Sequence, residues 1–257
     1  MHDFYRGCTA LVTGSSDGIG REMARQLSAA GARVLLVARR ESALREVADG
    51  LPDEAAVFAA DLQLPGAAAA LADRVEAAGE TVDVLVNNAG FGESGPFLEH
   101  AGRATAMIDL NCRALTELTA RFLPSMVARS RGGVLNVASL GAFMPVPRLA
   151  VYAATKAFVR SFTEALAWEV RGTGVHVTNL CPGPVRTGFG DRAGMDEAFF
   201  KGAVPVERVA REALEGLAGG QRRVVPGALT KLQVLATRLA PTGPGLALTE
   251  RVSRKAE

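Results

Sequence analysis

Tyr152 and Lys156 bracket the stretch Tyr152-Ala-Ala-Thr-Lys156. On a helix, residues four apart share a face, so a phenol and an ammonium point the same way. A phenol ordinarily titrates near pH ~10, and bringing it to about 7 takes roughly 4 kcal/mol of differential stabilisation, which a nearby cation supplies in a partly dry site. The pair could then pass a proton at neutral pH. The same spacing also describes a solvated helix face, so its meaning depends on the elements around it.

Thr9 to Thr13 is a short apolar run suited to a buried strand. It leads directly into Gly14-Ser-Ser-Asp-Gly18-Ile-Gly20 and a helical pattern over residues 21 to 30. A phosphate needs backbone N–H groups aimed at it with no side chains in the way, and glycines at a helix N-terminus supply both. The spacing is Thr-Gly-x-x-x-Gly-x-Gly, not G-x-G-x-x-G. A plain turn is the alternative, but a second strand at Arg33 to Val37 favours a nucleotide site. That strand ends Val37-Ala38-Arg39-Arg40. An acid there would bind the ribose 2′-hydroxyl of NAD; Ala38 has no carboxylate, whereas Arg39 and Arg40 can form charge-assisted hydrogen bonds to a 2′-phosphate, which favours NADP over a merely solvated arginine pair. Asp17 would oppose that phosphate and is expected to cap the helix or pair with an arginine.

Val57 to Ala60 reads as a third strand ending at Asp61-Leu62, where the carboxylate either accepts from an adenine amino group or caps the helix from Pro65. Val82 to Val86 is a fourth strand running into Asn87-Asn88-Ala89-Gly90, small polar residues that let backbone approach a ligand. Helical patterns at 65 to 79 and roughly 103 to 130 complete the alternation of right-handed βαβ units. Pro124 is expected to bend the latter helix, and Asn111, among Leu110, Leu115 and Leu118, needs a bonding partner, structural or functional. Val134 to Ser139 is a fifth strand, with Ser139 at the C-terminal end, where open α/β sheets bind ligands. After Pro145 and Pro147 the Tyr152 helix keeps a helical period through Val159, Phe162, Thr163, Leu166 and Val170. Val175 to Cys181 is a sixth strand, closed by Pro182-Gly183-Pro184-Val185-Arg186-Thr187.

The segment from Phe189 to Val204, with Met195, Phe199 and Phe200, has no clean period and reads as a substrate lid or as a variable surface insertion. Arg223 to Val225 suits a last strand. Leu229, Leu232, Leu235 and Leu239 form one stripe of a basic amphipathic helix, expected to pack on the domain in preference to a membrane surface.

Bulk properties narrow the class. A chain of 257 residues with 48% hydrophobic and 22% charged residues suits one globular domain. A net charge of +2 gives no sign of a nucleic-acid partner. Cys8, Cys112 and Cys181 are far apart and lack CxxC spacing, which argues against a disulfide framework and a zinc site. No apolar run approaches the ~20 residues that span a bilayer, and the N-terminal stretch lacks a secretory core, so a cytoplasmic location is expected.

Thr13-Gly14-x-x-x-Gly18-Ile19-Gly20, Asn87-Asn88-Ala89-Gly90, Ser139, Tyr152-x-x-x-Lys156 and Pro182-Gly183 with Thr187, in this order, resemble the short-chain dehydrogenase/reductase family over about residues 6 to 226. The look is nearest to NADP-using bacterial ketone or 3-oxoacyl reductases. The resemblance implies a single-domain Rossmann-type α/β fold, a doubly wound parallel sheet of about seven strands flanked by helices, with 189–204 as lid and 227–257 as a C-terminal helical extension. It implies Tyr152 as general acid/base, Lys156 lowering its pKa and holding the nicotinamide ribose, Ser139 donating to the substrate oxygen, and Asn111 holding a water that links Lys156 to solvent. Gly14, Ser16, Gly18, Ile19, Gly20, Arg39, Arg40, Asp61, Leu62, Asn88, Ala89, Gly90, Tyr152, Lys156, Pro182, Gly183, Val185 and Thr187 would hold NADP(H), without a metal. The substrate would be a small apolar carbonyl or alcohol, suggested by Leu140, Phe143, Met144, Met195, Phe199 and Phe200, and the assembly a homodimer or homotetramer. A non-catalytic NADP-binding sensor or scaffold on the same fold is the rival reading, and a sugar-nucleotide epimerase or dehydratase a further one.

Overall fold

The computed structural model describes residues 2–194, 200, 202–239, 243, 246 and 250. The apolar runs form parallel strands, the central ones buried on both faces: β1 Thr9–Thr13, β2 Arg33–Ala38, β3 Ala56–Ala59, β4 Val84–Asn87, β5 Gly132–Val137, β6 Val175–Leu180 and β7 Arg223–Val224. They make one sheet in the order β3-β2-β1-β4-β5-β6-β7, every pair parallel. Strand order reverses between β1 and β4, and a crevice opens there at the carboxyl ends of the strands. The chain thus has the Rossmann-type fold its alternation predicts.

Helices cover both faces. On one side α1 (Gly18–Ala29) and, later in the chain, α6 (Val206–Ala218) pack Met23, Leu27, Val209 and Leu214 against Val12, Leu36 and Leu135. On the other, α3 (Ala67–Ala77) and α4 (Leu115–Ala128) pack Leu71, Val75, Leu118, Phe122 and Met126 against Leu11, Leu35 and Leu85. Leu11 and Val12 go to opposite cores because successive strand side chains alternate. Glu41–Asp49 forms α2, Ala150–Glu169 forms α5 and Ala228–Leu239 forms α7.

Three asparagines lie in register across neighbouring strands: Asn87 of β4 opposite Asn136 of β5, and Asn136 opposite Asn179 of β6. All are buried. Asn87 Nδ2 donates to Asn136 Oδ1 at 2.9 Å and to Thr119 Oγ1 of α4 at 3.0 Å, and Asn136 Nδ2 donates to Thr163 Oγ1 of α5 at 3.0 Å. The two helices are thereby fastened to the sheet by polar contacts inside the core, where an unpaired amide would be costly.

Several elements differ from expectation. Strand β5 stops at Val137, so Ser139 stands two residues beyond it. The helix before α4 is interrupted at Asp109–Ala114, where one turn widens to π-helical geometry around Asn111, upstream of Pro124. In α7 the expected packing face is reversed. Thr230 and Val234 are buried, whereas Leu229, Leu232 and Leu235 face solvent. The reason is local: Thr230 lies against Gly183, where any Cβ would come within 2.7 Å of the threonine hydroxyl, so a small side chain must face inward there. The Leu239 side chain, and Met195 and Phe199 of the expected lid, lie outside the described residues. No described helix is long and apolar enough to cross a membrane.

Candidate active site

The turn after β1 is shaped by close approach. Gly14 has φ +65°, a conformation side chains rarely adopt, and a Cβ there would come within 2.8 Å of Asn88 Nδ2. At Gly20 a Cβ would run into Asn88 Nδ2 and the Gly14 carbonyl. Asn88 is the clamp: its Nδ2 donates to the carbonyls of Thr13 and Gly14 at 2.9 and 3.2 Å, while Thr13 Oγ1 accepts the backbone N–H of Asn88 and of Ala89, each at 3.0 Å. The ends of β1 and β4 are thus locked together around an open cradle. Asp17 fulfils both roles foreseen for it, since Oδ1 accepts from the Gly18 N–H at 2.7 Å and Oδ2 pairs with Arg192 at 3.0 Å.

A cavity of about 1000 Å³ starts at this turn and runs across the carboxyl edge of the sheet. Among the residues expected to hold a cofactor, Gly14, Ser16, Gly18, Ile19, Arg39, Arg40, Asp61, Leu62, Asn88, Ala89, Gly90, Pro182, Gly183, Val185 and Thr187 line it, as do Ser139, Tyr152 and Lys156. Gly20 and Asn111 do not; Gly20 lies beneath the turn as a packing glycine. Arg39 and Arg40 are exposed, and among the described residues neither guanidinium makes a hydrogen bond or an ion pair. An extended group with a diphosphate at the cradle and a phosphate near the arginine pair fits these residues.

At the other end of the cavity, Leu140 N–H donates to the Pro182 carbonyl at 2.8 Å and fixes the turn holding Ser139. Ser139 Oγ accepts from the Gly141 N–H at 3.1 Å and shares the cavity wall with Tyr152. Lys156, only 5% exposed, donates from Nζ to the Val137 carbonyl at 2.8 Å and lies 5.7 Å from the centre of the Tyr152 ring. Burial brings its ammonium down to about 8.

The phenol departs from expectation. Burial pushes Tyr152 above its ordinary value, and the nearby Ser139 hydroxyl draws it back in part. Lys156, held on Val137, is not what sets the direction, so among the chain's own groups the neutral phenol is favoured. Asn111 differs too. It is 1% exposed; Oδ1 accepts from the Phe91 N–H at 3.1 Å, and Nδ2 donates to the Phe91 carbonyl and to Thr155 Oγ1, each at 3.0 Å. Both amide hydrogens are engaged, so this side chain braces the Gly90–Phe91 backbone against α5.

Some contributors escaped sequence reasoning. Phe189 packs its ring 5.6 Å from that of Tyr152, and Phe200 joins Leu149 and Ala193 beside it. Gln233, Ala236 and Thr237 of α7 line the far wall. The Val137 carbonyl has no side-chain signature, and Ala236 has no chemistry to mark it. The period of α7 could have pointed to Gln233 and Thr237.

Fold and cavity are those of a Rossmann-type dinucleotide-binding protein. The chain belongs to the short-chain dehydrogenase/reductase family: the family model for short chain dehydrogenase matches residues 8–198. It is 39% identical over 191 residues to a short chain dehydrogenase of Pseudocercospora fijiensis, an alignment covering 72% of this chain and 62% of that protein. It superposes on a short-chain dehydrogenase from Sphingobium yanoikuyae in complex with NADPH at a TM-score of 0.81, with 30% identity over 90% of this chain and 93% of the other. A short chain dehydrogenase/reductase from Burkholderia phymatum in complex with NAD gives a TM-score of 0.80, with 27% identity over 92% and 93% of the two chains.

Proposed function

We propose that the chain transfers hydride between NADP(H) and the carbonyl or secondary alcohol of an apolar substrate, with Tyr152 as the acid–base group. The observation that carries this reading is that Tyr152, Ser139 and Lys156 share the wall of a single cavity with the glycine cradle. A bound nicotinamide supplies the hydride. The chain supplies the proton and the electrostatics. In reduction the Ser139 hydroxyl, held by Gly141, donates to the carbonyl oxygen where negative charge builds. The Tyr152 phenol, neutral in its buried setting, gives up its proton to that oxygen; in alcohol oxidation the phenolate takes it back. Lys156 holds positive charge beside the phenol and shares the sugar hydroxyls of the cofactor. Leu140, Phe143, Met144, Leu149, Phe189 and Phe200 exclude water and favour an apolar substrate body.

The exposed Arg39 and Arg40 support NADP over NAD, since among the described residues no carboxylate pairs with them. A homo-oligomer is supported by Ile108, Phe158 and Trp168, 48%, 43% and 57% exposed, at the helices that carry the site. Light scattering giving a monomer mass at micromolar concentration contradicts it.

The deciding experiment compares wild type with Tyr152→Phe on a panel of ketones with NADPH. Wild type turns over at least one apolar ketone, and the variant, folded and still binding NADPH, loses about 10²- to 10⁴-fold in kcat. Full activity in Tyr152→Phe removes the assignment, and tight NADPH binding by wild type with no turnover of any ketone favours a sensor.

A further inference from the structure

Helix α7 presents three sides. Thr230 and Val234 face the domain, 4% and 7% exposed. Gln233, Ala236 and Thr237 face the cavity. Leu229, Leu232 and Leu235 lie opposite the buried pair and are 55%, 62% and 55% exposed. Leucines recurring every three residues along two helical turns form a contiguous apolar strip, unlike the scattered surface leucines that need no explanation.

Charge indicates what the strip meets. The sequence of α7 contains Lys231 and Arg238 and no acidic residue. Residues 227–257 hold Lys231, Arg238, Arg251, Arg254 and Lys255 against Glu250 and Glu257, whereas the whole chain is close to balance at +2. The basic excess of the sequence therefore falls in its C-terminal part, with Lys231 on the helix itself. Three half-exposed leucines present a few hundred Å², well short of the ~800 Å² per partner that a stable protein interface buries. An apolar strip beside the exposed Lys231, on a helix with no acidic residue, does match a bilayer surface, which offers an acyl boundary for the leucines and anionic headgroups for Lys231.

We propose that α7 docks the protein peripherally on an anionic bilayer surface, with Leu229, Leu232 and Leu235 in the acyl boundary and Lys231 on the headgroups. The same helix walls the cavity, so docking brings the cavity wall to the lipid interface and gives an apolar substrate a short route in. The docking surface stands on exposure and charge, independently of the reaction assigned above.

The test is flotation of the full chain with equimolar phosphatidylglycerol–phosphatidylcholine vesicles and with phosphatidylcholine vesicles, at low and high salt. Wild type floats with the anionic vesicles, less so at high salt and little with phosphatidylcholine alone. The combined variant Leu229→Ser, Leu232→Ser, Leu235→Ser loses about tenfold or more in partitioning while its NADPH affinity is unchanged. Lys231→Glu loses most of the preference for anionic vesicles, and it decides the matter alone should the leucine variant fail to fold. Tyr152→Phe floats like wild type whatever its activity, which separates a failure of docking from a failure of the chemistry. Wild type that ignores anionic vesicles overturns the proposal, as does undiminished binding by either surface variant. So does a wild-type dimer that the leucine variant converts to a monomer while neither binds vesicles, since the strip then joins two copies of this chain.

Discussion

Lys156 donates from Nζ to the carbonyl oxygen of Val137, the last residue of β5, at 2.8 Å. This bond ties the centre of α5 to the strand end that leads to Ser139, and it holds the ammonium where only 5% of the residue is exposed. Burial brings the ammonium from 10.5 down to about 8. Below about pH 8 the folded protein must carry that charge buried, at a cost of roughly 3 kcal/mol. Between pH 8 and 10.5 the folded protein has released the proton while the unfolded chain still holds it, so stability rises with pH in this window. Urea denaturation of wild type and Lys156→Met at pH 7 and pH 10 should show wild type gaining about 2 to 3 kcal/mol on the variant. Equal differences at both values sink the argument.

In the proposed reading coenzyme choice rests on Arg39 and Arg40, which are exposed, line the cavity and lack partners among the described residues. Arg39→Ala should weaken NADPH binding by about ten- to a hundredfold, the range of one charge-assisted hydrogen bond, and leave NADH binding nearly unchanged. Fluorescence titration with both coenzymes reads this directly. Equal losses for the two would mean that Arg39 contacts something other than the 2′-phosphate.

Buried on both faces, the central strands were legible because they read as continuous apolar runs, and Gly14 and Gly20 because close approach of Asn88 leaves no room for a side chain. Tyr152, Lys156 and Ser139 could be paired from their places on a helix and after a strand. What stayed hidden are relations that no side-chain pattern encodes. The acceptor for Lys156 is a backbone carbonyl. Asn111 announced that it needed partners, but that both its amide hydrogens go to Phe91 and Thr155 follows from a π-helical turn that periodicity does not reveal. Helix α7 showed its amphipathicity and concealed its orientation, because its buried face rests on Thr230 and Val234 and the leucines point outward.

Asn136 is fully buried, accepts from Asn87 and donates to Thr163 on α5. Asn136→Ala removes both bonds and opens a small void in the core, so a loss of about 2 to 4 kcal/mol is expected in urea denaturation. Thr163→Val alone should cost less, and the double variant less than the sum of the two, because they share one bond. Strict additivity would show that the ladder is not a connected network.

Arg192 Nη1 meets Asp17 Oδ2 at 3.0 Å, joining the segment after β6 to the glycine turn across 175 residues of chain. Both side chains are more than a third exposed, so the pair is worth little to global stability, and Arg192→Ala should move the melting temperature by no more than about 2 °C. Its effect is local. The Gly188–Arg192 turn carries Phe189, whose ring packs on Tyr152, and its Ala193 carbonyl accepts from the Ser94 N–H at 3.1 Å. Releasing Arg192 loosens one of the ties that hold Phe189 over the phenol. Steady-state kinetics of Arg192→Ala should therefore show KM for the carbonyl substrate raised several-fold with kcat less affected, and raising the salt concentration should reproduce the change in wild type because the pair is screened. An unchanged KM, or a melting temperature that falls steeply, would make the pair a structural brace and not a tie on Phe189.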